Sequence, residues 1–123
     1  MPTLNDMSSI TIWHNPRCSK SRQTLQLIVD SGAEPTIVEY LKTPPSKAEL
    51  TEALQKLGLE PRDLMRKKEA PYKELSLGDE GLTQEELLAA MIENPVLIER
   101  PIVFRGKRAV IGRPPENVLD LLA

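Results

Sequence analysis

The chain has 123 residues, enough for one compact domain with a proper core and a small insertion. Sixteen basic and eighteen acidic side chains leave a formal charge of −2, which argues against non-specific binding to nucleic acid. The single cysteine excludes an internal disulfide framework and an all-cysteine zinc site, and it fits a reducing, cytoplasmic setting.

Residues 1–8 are polar, lack the apolar centre of a signal peptide and read as a disordered tail. No segment approaches membrane-spanning length. The eleven prolines mark element boundaries, with no internal repeat and no low-complexity tract.

Ile10-Thr11-Ile12-Trp13 reads as a short buried strand. Pro16 disfavours helix at Asn15, so the chain turns there. Residues 21–31 are helix-compatible, with Leu25, Leu27, Ile28 and Val29 forming an apolar face and Gly32 a stop. Residues 36–41 have the β-propensity of a second strand. Strand, helix and strand with short connections make a right-handed parallel βαβ unit. That places Cys18 beyond the C-terminal end of the first strand, where α/β folds usually bind ligands.

After Pro44-Pro45, Ser46-Lys47-Ala48-Glu49 is a capping box, followed by Leu50, Ala53, Leu54 and Leu57 at helical spacing before Gly58. A second short helix is expected over residues 61–67, with proline at an early position. Residues 70–81 read as irregular and charged. Thr83-Gln84-Glu85-Glu86 is another capping box, opening a helix with Leu87, Leu88, Met91 and Ile92 inward. Residues 46–94 therefore read as a helical insertion.

Residues 101–111 return to strand, as a hairpin turning at Arg105-Gly106-Lys107. Pro114-Pro115 precede a terminal helix whose Val118, Leu119, Leu121 and Leu122 should face the sheet. The order is βαβ, helical insert, ββα. This is the α/β, thioredoxin-like architecture, spread over residues 9–45 and 95–123.

The chemistry gathers in His14-Asn15-Pro16-Arg17-Cys18-Ser19-Lys20-Ser21-Arg22, which holds the only cysteine and the only histidine. A cysteine at a helix N-terminus meets unpaired N–H groups and the positive end of the dipole, both favouring thiolate. Arg17, Lys20 and Arg22 add positive charge. Such surroundings lower a cysteine pKa from about 8.5 into the range of roughly 3.5–7.5. A lone cysteine is more often a small buried apolar side chain; here the polar, basic neighbours argue against burial. Cys18-Ser19-Lys20-Ser21 is a C-x-x-S arrangement, an attacking thiol with no resolving partner, so an external thiol must release any adduct.

His14 could stabilise the thiolate as an imidazolium, act as an acid–base group, or simply cap the first strand. His14 and Cys18 cannot fill a zinc shell, so no metal is expected. Arg66, Arg100 and Arg113 offer planar, permanently charged donors suited to tetrahedral oxyanions. Proline after Arg100 and Arg113 fixes the local backbone.

Together His14-Asn15-Pro16-Arg17-Cys18 with Ser21-Arg22, Glu34-Pro35, Tyr40-Leu41, Leu64-Met65-Arg66-Lys67, Glu99-Arg100-Pro101-Ile102-Val103 and Gly112-Arg113-Pro114 resemble the glutaredoxin-dependent arsenate reductases, in particular their short YfgD-like branch. The resemblance runs from about Ile10 to the C-terminus. It implies a thioredoxin-like fold with a helical insertion, Cys18 as nucleophile and His14 as the histidine that helps to activate it. It further implies Arg66, Arg100 and Arg113 as the oxyanion site, and Ser21, Arg22 and Pro101 as supporting residues. Arg100-Pro101 would be the cis peptide facing the thiol. The implied reaction is reduction of arsenate to arsenite in the cytoplasm, with glutathione as co-substrate, glutaredoxin as partner and no bound cofactor, nucleic acid or membrane.

Arg17, Ser19 and Lys20 depart from the small residues that the best-known members carry around the cysteine, a difference that bears on the substrate. Two other readings share the fold. One is an Spx-type regulator binding RNA polymerase, which usually carries a C-x-x-C switch where this chain has Ser21. The other is a glutathione-dependent thiol reductase acting on another substrate.

Overall fold

Strand β1 (Ile10–Trp13) is central in a four-stranded sheet of order β2-β1-β3-β4. In this computed structural model residues 9–122 are described, so the tail expected over residues 1–8 lies outside them. β1 pairs in parallel with β2 (Thr36–Val38) and antiparallel with β3 (Ile102–Arg105), which pairs antiparallel with β4 (Arg108–Ile111). Gly106 turns the β3–β4 hairpin at φ +61°, a left-handed backbone that glycine adopts without steric penalty. Helix α1 (Ser19–Asp30) connects β1 to β2. The described residues form two compact units. One runs to Thr43 and resumes at Arg100, and the other is Pro44–Glu99.

In the second unit, α2 (Lys47–Leu57) begins at the predicted capping box. Ser46 Oγ accepts from the Glu49 N–H at 3.1 Å, and a Glu49 carboxylate oxygen accepts from the Ser46 N–H at 2.8 Å. Gly58 ends the helix at φ +70°. The helix expected over residues 61–67 is only a 3-10 turn, Pro61–Leu64, because Met65 is extended and bridges Ile98 antiparallel. The stretch read as irregular contains a short helix, α3 (Ala70–Glu74), with proline in its first turn, the position where a missing N–H does no harm. α4 (Gln84–Glu93) opens on the second capping box and buries Leu87, Leu88 and Met91.

The first unit closes with a 3-10 turn, Pro115–Val118, and α5 (Leu119–Leu122). Its core combines Ile10 and Ile12 of β1, Ile28 of α1, Val103 of β3, and Val118 and Leu121 near the C-terminus. This is the thioredoxin-like arrangement expected. Three details differ. β2 stops at Val38 because the Glu39 carbonyl accepts from the Lys42 and Thr43 N–H groups, turning the chain. Leu119 and Val29 remain about half exposed. The buried stripe of α1 is Ser21, Thr24 and Ile28, a narrower and more polar face than the leucines suggested. No described helix is long and apolar enough to cross a membrane.

Ile28 anchors the helix that carries the cysteine. Ile28→Ala should lower the unfolding free energy by about 2–5 kcal/mol in a urea titration, the usual loss for a fully buried isoleucine. A change below about 0.5 kcal/mol, the range of surface substitutions, would mean the core is not centred there.

Candidate active site

One row of the sheet positions the whole site. Val38, Trp13, Ile102 and Ile111 are register partners across β2, β1, β3 and β4. The chain therefore leaves that row at one end of the sheet in four places: Glu39, His14, Arg100-Pro101 and Gly112-Arg113. His14 extends the parallel pairing by donating its N–H to the Val38 carbonyl at 2.8 Å.

The turn between β1 and α1 is closed by its own residues. The Asn15 side-chain oxygen accepts from the Arg17 N–H at 3.0 Å, the Asn15 carbonyl accepts from the Cys18 N–H at 3.0 Å, and Arg22 Nη1 donates to the Pro16 carbonyl at 2.9 Å. Cys18 then sits as the N-cap of α1 in extended conformation, its carbonyl accepting the Arg22 N–H at 3.0 Å as a first helical bond. Arg22 thus braces the loop, with its charge beside the site.

Cys18 is buried, with only 9% of its surface accessible, which corrects the exposed thiol expected from its neighbours. Its chain neighbours Arg17, Ser19 and Lys20 are indeed exposed, but groups distant in sequence reach the sulfur. Arg113 Nη1 stands 4.0 Å from Sγ, and Arg100, whose Nε and Nη1 are buried, adds its charge and a hydrogen bond. Burial is the largest single influence on the thiol and pushes its pKa up. The Ser21 N–H, the Arg100 charge, the Lys20 N–H and the Arg100 hydrogen bond push it down, and together they hold it below the ordinary value. The cover on the sulfur is cationic, so burial here strengthens the attraction to the thiolate instead of only penalising it.

His14 and Ser21 form a buried pair, Nδ1 to Oγ at 2.7 Å, and Ser21 Oγ also accepts from the Asn15 N–H at 3.0 Å. Burial is the main influence on His14 and lowers its pKa; Glu39 opposes this and Arg22 reinforces it, leaving the net shift downward. A neutral imidazole is therefore the dominant form at neutral pH, and the positive charge at the thiol comes from the Arg100 and Arg113 guanidinium groups.

The expected cis peptide at Arg100-Pro101 is present, and Arg113-Pro114 is cis as well. Cys18, His14, Ser21, Arg22, Arg100, Pro101 and Arg113 all belong to the first unit. Arg66 belongs to the second, where it pairs with Glu69 at 3.2 Å and Glu99 at 4.0 Å and donates its backbone N–H to the Leu97 carbonyl at 2.7 Å. Two contributors escaped the sequence reading. Glu39 acts on His14 only because β2 lies beside β1, which no local signal reveals. Thr24 was detectable as a polar residue three positions after Ser21 and four before Ile28.

The frame is that of a thioredoxin-like protein, with one cysteine at the N-cap of α1 and the Arg100 and Arg113 guanidinium groups at its sulfur. Residues 13–121 match the ArsC family, and the chain belongs to it. It is 50% identical over 114 residues to an arsenate reductase of Rhizobium meliloti, covering 93% of this chain and 81% of that protein. It is 53% identical over 114 residues to the uncharacterized protein YfgD of Escherichia coli K12, covering 92% of this chain and 96% of that protein. Among solved structures it resembles an arsenate reductase from Vibrio cholerae, with 53% identity, a TM-score of 0.91 and coverage of 93% and 98% of the two chains.

The His14 shift has a measurable consequence. On acidification the unfolded chain takes up a proton that the folded chain refuses, so folding stability falls as pH drops from about 7.5 to about 5.5. In a Cys18→Ser background, which removes the other group held below its ordinary value, urea midpoints across that window report on His14, the only histidine, and the slope should flatten when His14→Gln is added. Stability that rises on acidification would contradict a lowered pKa.

Proposed function

We propose that the protein reduces arsenate to arsenite in the cytoplasm, with Cys18 as nucleophile and glutathione and glutaredoxin as the thiol donors. The observation that carries this reading is the Cys18 thiol, held below its ordinary pKa with Arg100 and Arg113 at the sulfur. The arsenate reductases at about half identity support the choice of oxyanion.

The Cys18 thiolate attacks arsenic, an S–As bond forms, and one oxygen leaves as water. Glutathione condenses at the same arsenic with loss of a second water. A glutaredoxin thiol then attacks the glutathione sulfur. That S–As bond breaks, its electron pair reduces arsenic from the pentavalent to the trivalent state, and the two donor thiols leave joined as a disulfide. Water cleaves the remaining Cys18–arsenic bond, releasing arsenite and the thiol. Arg100 and Arg113 offset the charge that gathers on the oxyanion. The incoming oxyanion takes over the Arg113 donor that lies against the resting sulfur.

Regulators of the Spx type usually carry a second thiol at the position of Ser21. There a fully buried hydroxyl is engaged by His14 and by the Asn15 N–H, an arrangement that supports a fixed site over a redox switch.

A coupled assay with glutathione, glutaredoxin and NADPH tests the proposal. Cys18→Ser should abolish arsenate-dependent NADPH oxidation, and Arg113→Ala should reduce kcat/KM by about 10²–10³, the usual effect of removing one donor to a developing oxyanion. Arsenate turnover retained by Cys18→Ser would sink the proposal.

A further inference from the structure

Thr24 lies on α1, six residues beyond Cys18, and is wholly buried. Its hydroxyl is 2.8 Å from the Lys20 carbonyl, the ordinary partner of a threonine within a helix. It is also 3.2 Å from the Gly112 carbonyl at the end of β4, an acceptor that the helix does not require. The Gly112 N–H donates to the Pro101 carbonyl at 2.9 Å. Gly112 is thus held at both polar ends, by α1 on one side and by the segment entering β3 on the other.

The approach leaves no room for a side chain. A Cβ on Gly112 would stand 2.5 Å from Thr24 Oγ1, 2.8 Å from Thr24 Cγ2 and 2.9 Å from Pro101 Cγ. The residue after Gly112 is Arg113, whose guanidinium meets Cys18. Thr24 therefore ties the strand end that carries the arginine to the helix that carries the thiol. Its hydroxyl also gives the buried Gly112 carbonyl a donor, and loss of such a partner is unfavourable.

We infer that Thr24 is a positioning residue: docked on Gly112, it fixes Arg113 at the distance from Cys18 at which a tetrahedral oxyanion bridges the two. This rests on the oxyanion reading proposed above. The charge on the resting sulfur has other sources, chiefly the Ser21 N–H and Arg100. Arg113 also stands 4.0 Å from the sulfur, so Thr24 should govern oxyanion binding, where Arg113 is a direct donor, far more strongly than thiol ionisation, a split that a merely structural role would not produce.

The test is the rate of Cys18 alkylation by iodoacetamide, measured against pH without oxyanion and against arsenate concentration at neutral pH, with no other thiol present. Wild type should be protected by arsenate. Thr24→Val, which keeps the shape and removes the hydroxyl, should need about tenfold more arsenate for half-protection, the scale of one misplaced charge-assisted contact. Its alkylation pH profile should move by much less than tenfold in apparent ionisation constant. Thr24→Ser, which restores the hydroxyl, should restore wild-type protection. Gly112→Ala should resemble Thr24→Val, which carries the test by itself if the added Cβ prevents folding.

Equal protection of wild type and Thr24→Val would overturn the inference and leave the oxyanion reading standing. So would a Thr24→Val variant in which ionisation shifts by as large a factor as protection, or a Thr24→Ser variant as impaired as Thr24→Val. Absence of protection in wild type would overturn the oxyanion reading itself, and the inference with it.

Discussion

The structure depends on a contest at one atom. Removing Cys18 Sγ from water favours the neutral thiol, and that burial is the strongest single influence on it. The N–H groups of Ser21 and Lys20 and the Arg100 guanidinium act in the opposite direction and together prevail. Their advantage comes from the same burial, since charge–charge and charge–dipole interactions weaken less in a low-dielectric setting than in water. A sulfur equally buried among hydrocarbon side chains would be inert.

The fold serves this contest through register. The row Val38–Trp13–Ile102–Ile111 crosses all four strands, and every group acting on the thiol from outside α1 leaves the sheet within two residues of it. A one-residue slip of β3 against β1 would turn each of its side chains to the opposite face and carry Arg100 away from Cys18. The buried Ile12 and Val103, partners in that ladder, oppose such a slip, because it would expose core side chains. The helix does its part with small polar residues on its buried face. Ser21 receives His14, and Thr24 allows Gly112 to approach more closely than any residue with a Cβ could.

Much of this was legible in the chain. Ile10-Thr11-Ile12-Trp13 marked β1 by β-branching and apolarity, and the capping boxes at Ser46 and Thr83 located two helix starts, because the hydrogen bonds that define a cap lie within four residues. The readings that failed depended on distant partners. Cys18 looked exposed because Arg17, Ser19 and Lys20 are polar, yet its cover comes from Arg100 and from Arg113, 95 residues away. Val29 and Leu119 looked buried because they are apolar, yet the α1 stripe runs through Ser21 and Thr24, and the terminal helix turns Leu121 inward instead. The strand expected over residues 36–41 ends at Val38 because its continuation folds into a turn around the Glu39 carbonyl, although Ile37 to Leu41 have strand propensity.

The central claim is that the Cys18 thiol ionises more readily than free cysteine despite its burial. The most direct measurement is the ultraviolet absorbance of the thiolate titrated against pH, taken as the difference between wild type and Cys18→Ser. The account predicts a midpoint clearly below that of free cysteine, moving upward in Arg100→Ala. A midpoint at or above the free-cysteine value would contradict it, because burial would then have outweighed the N–H groups and the guanidinium.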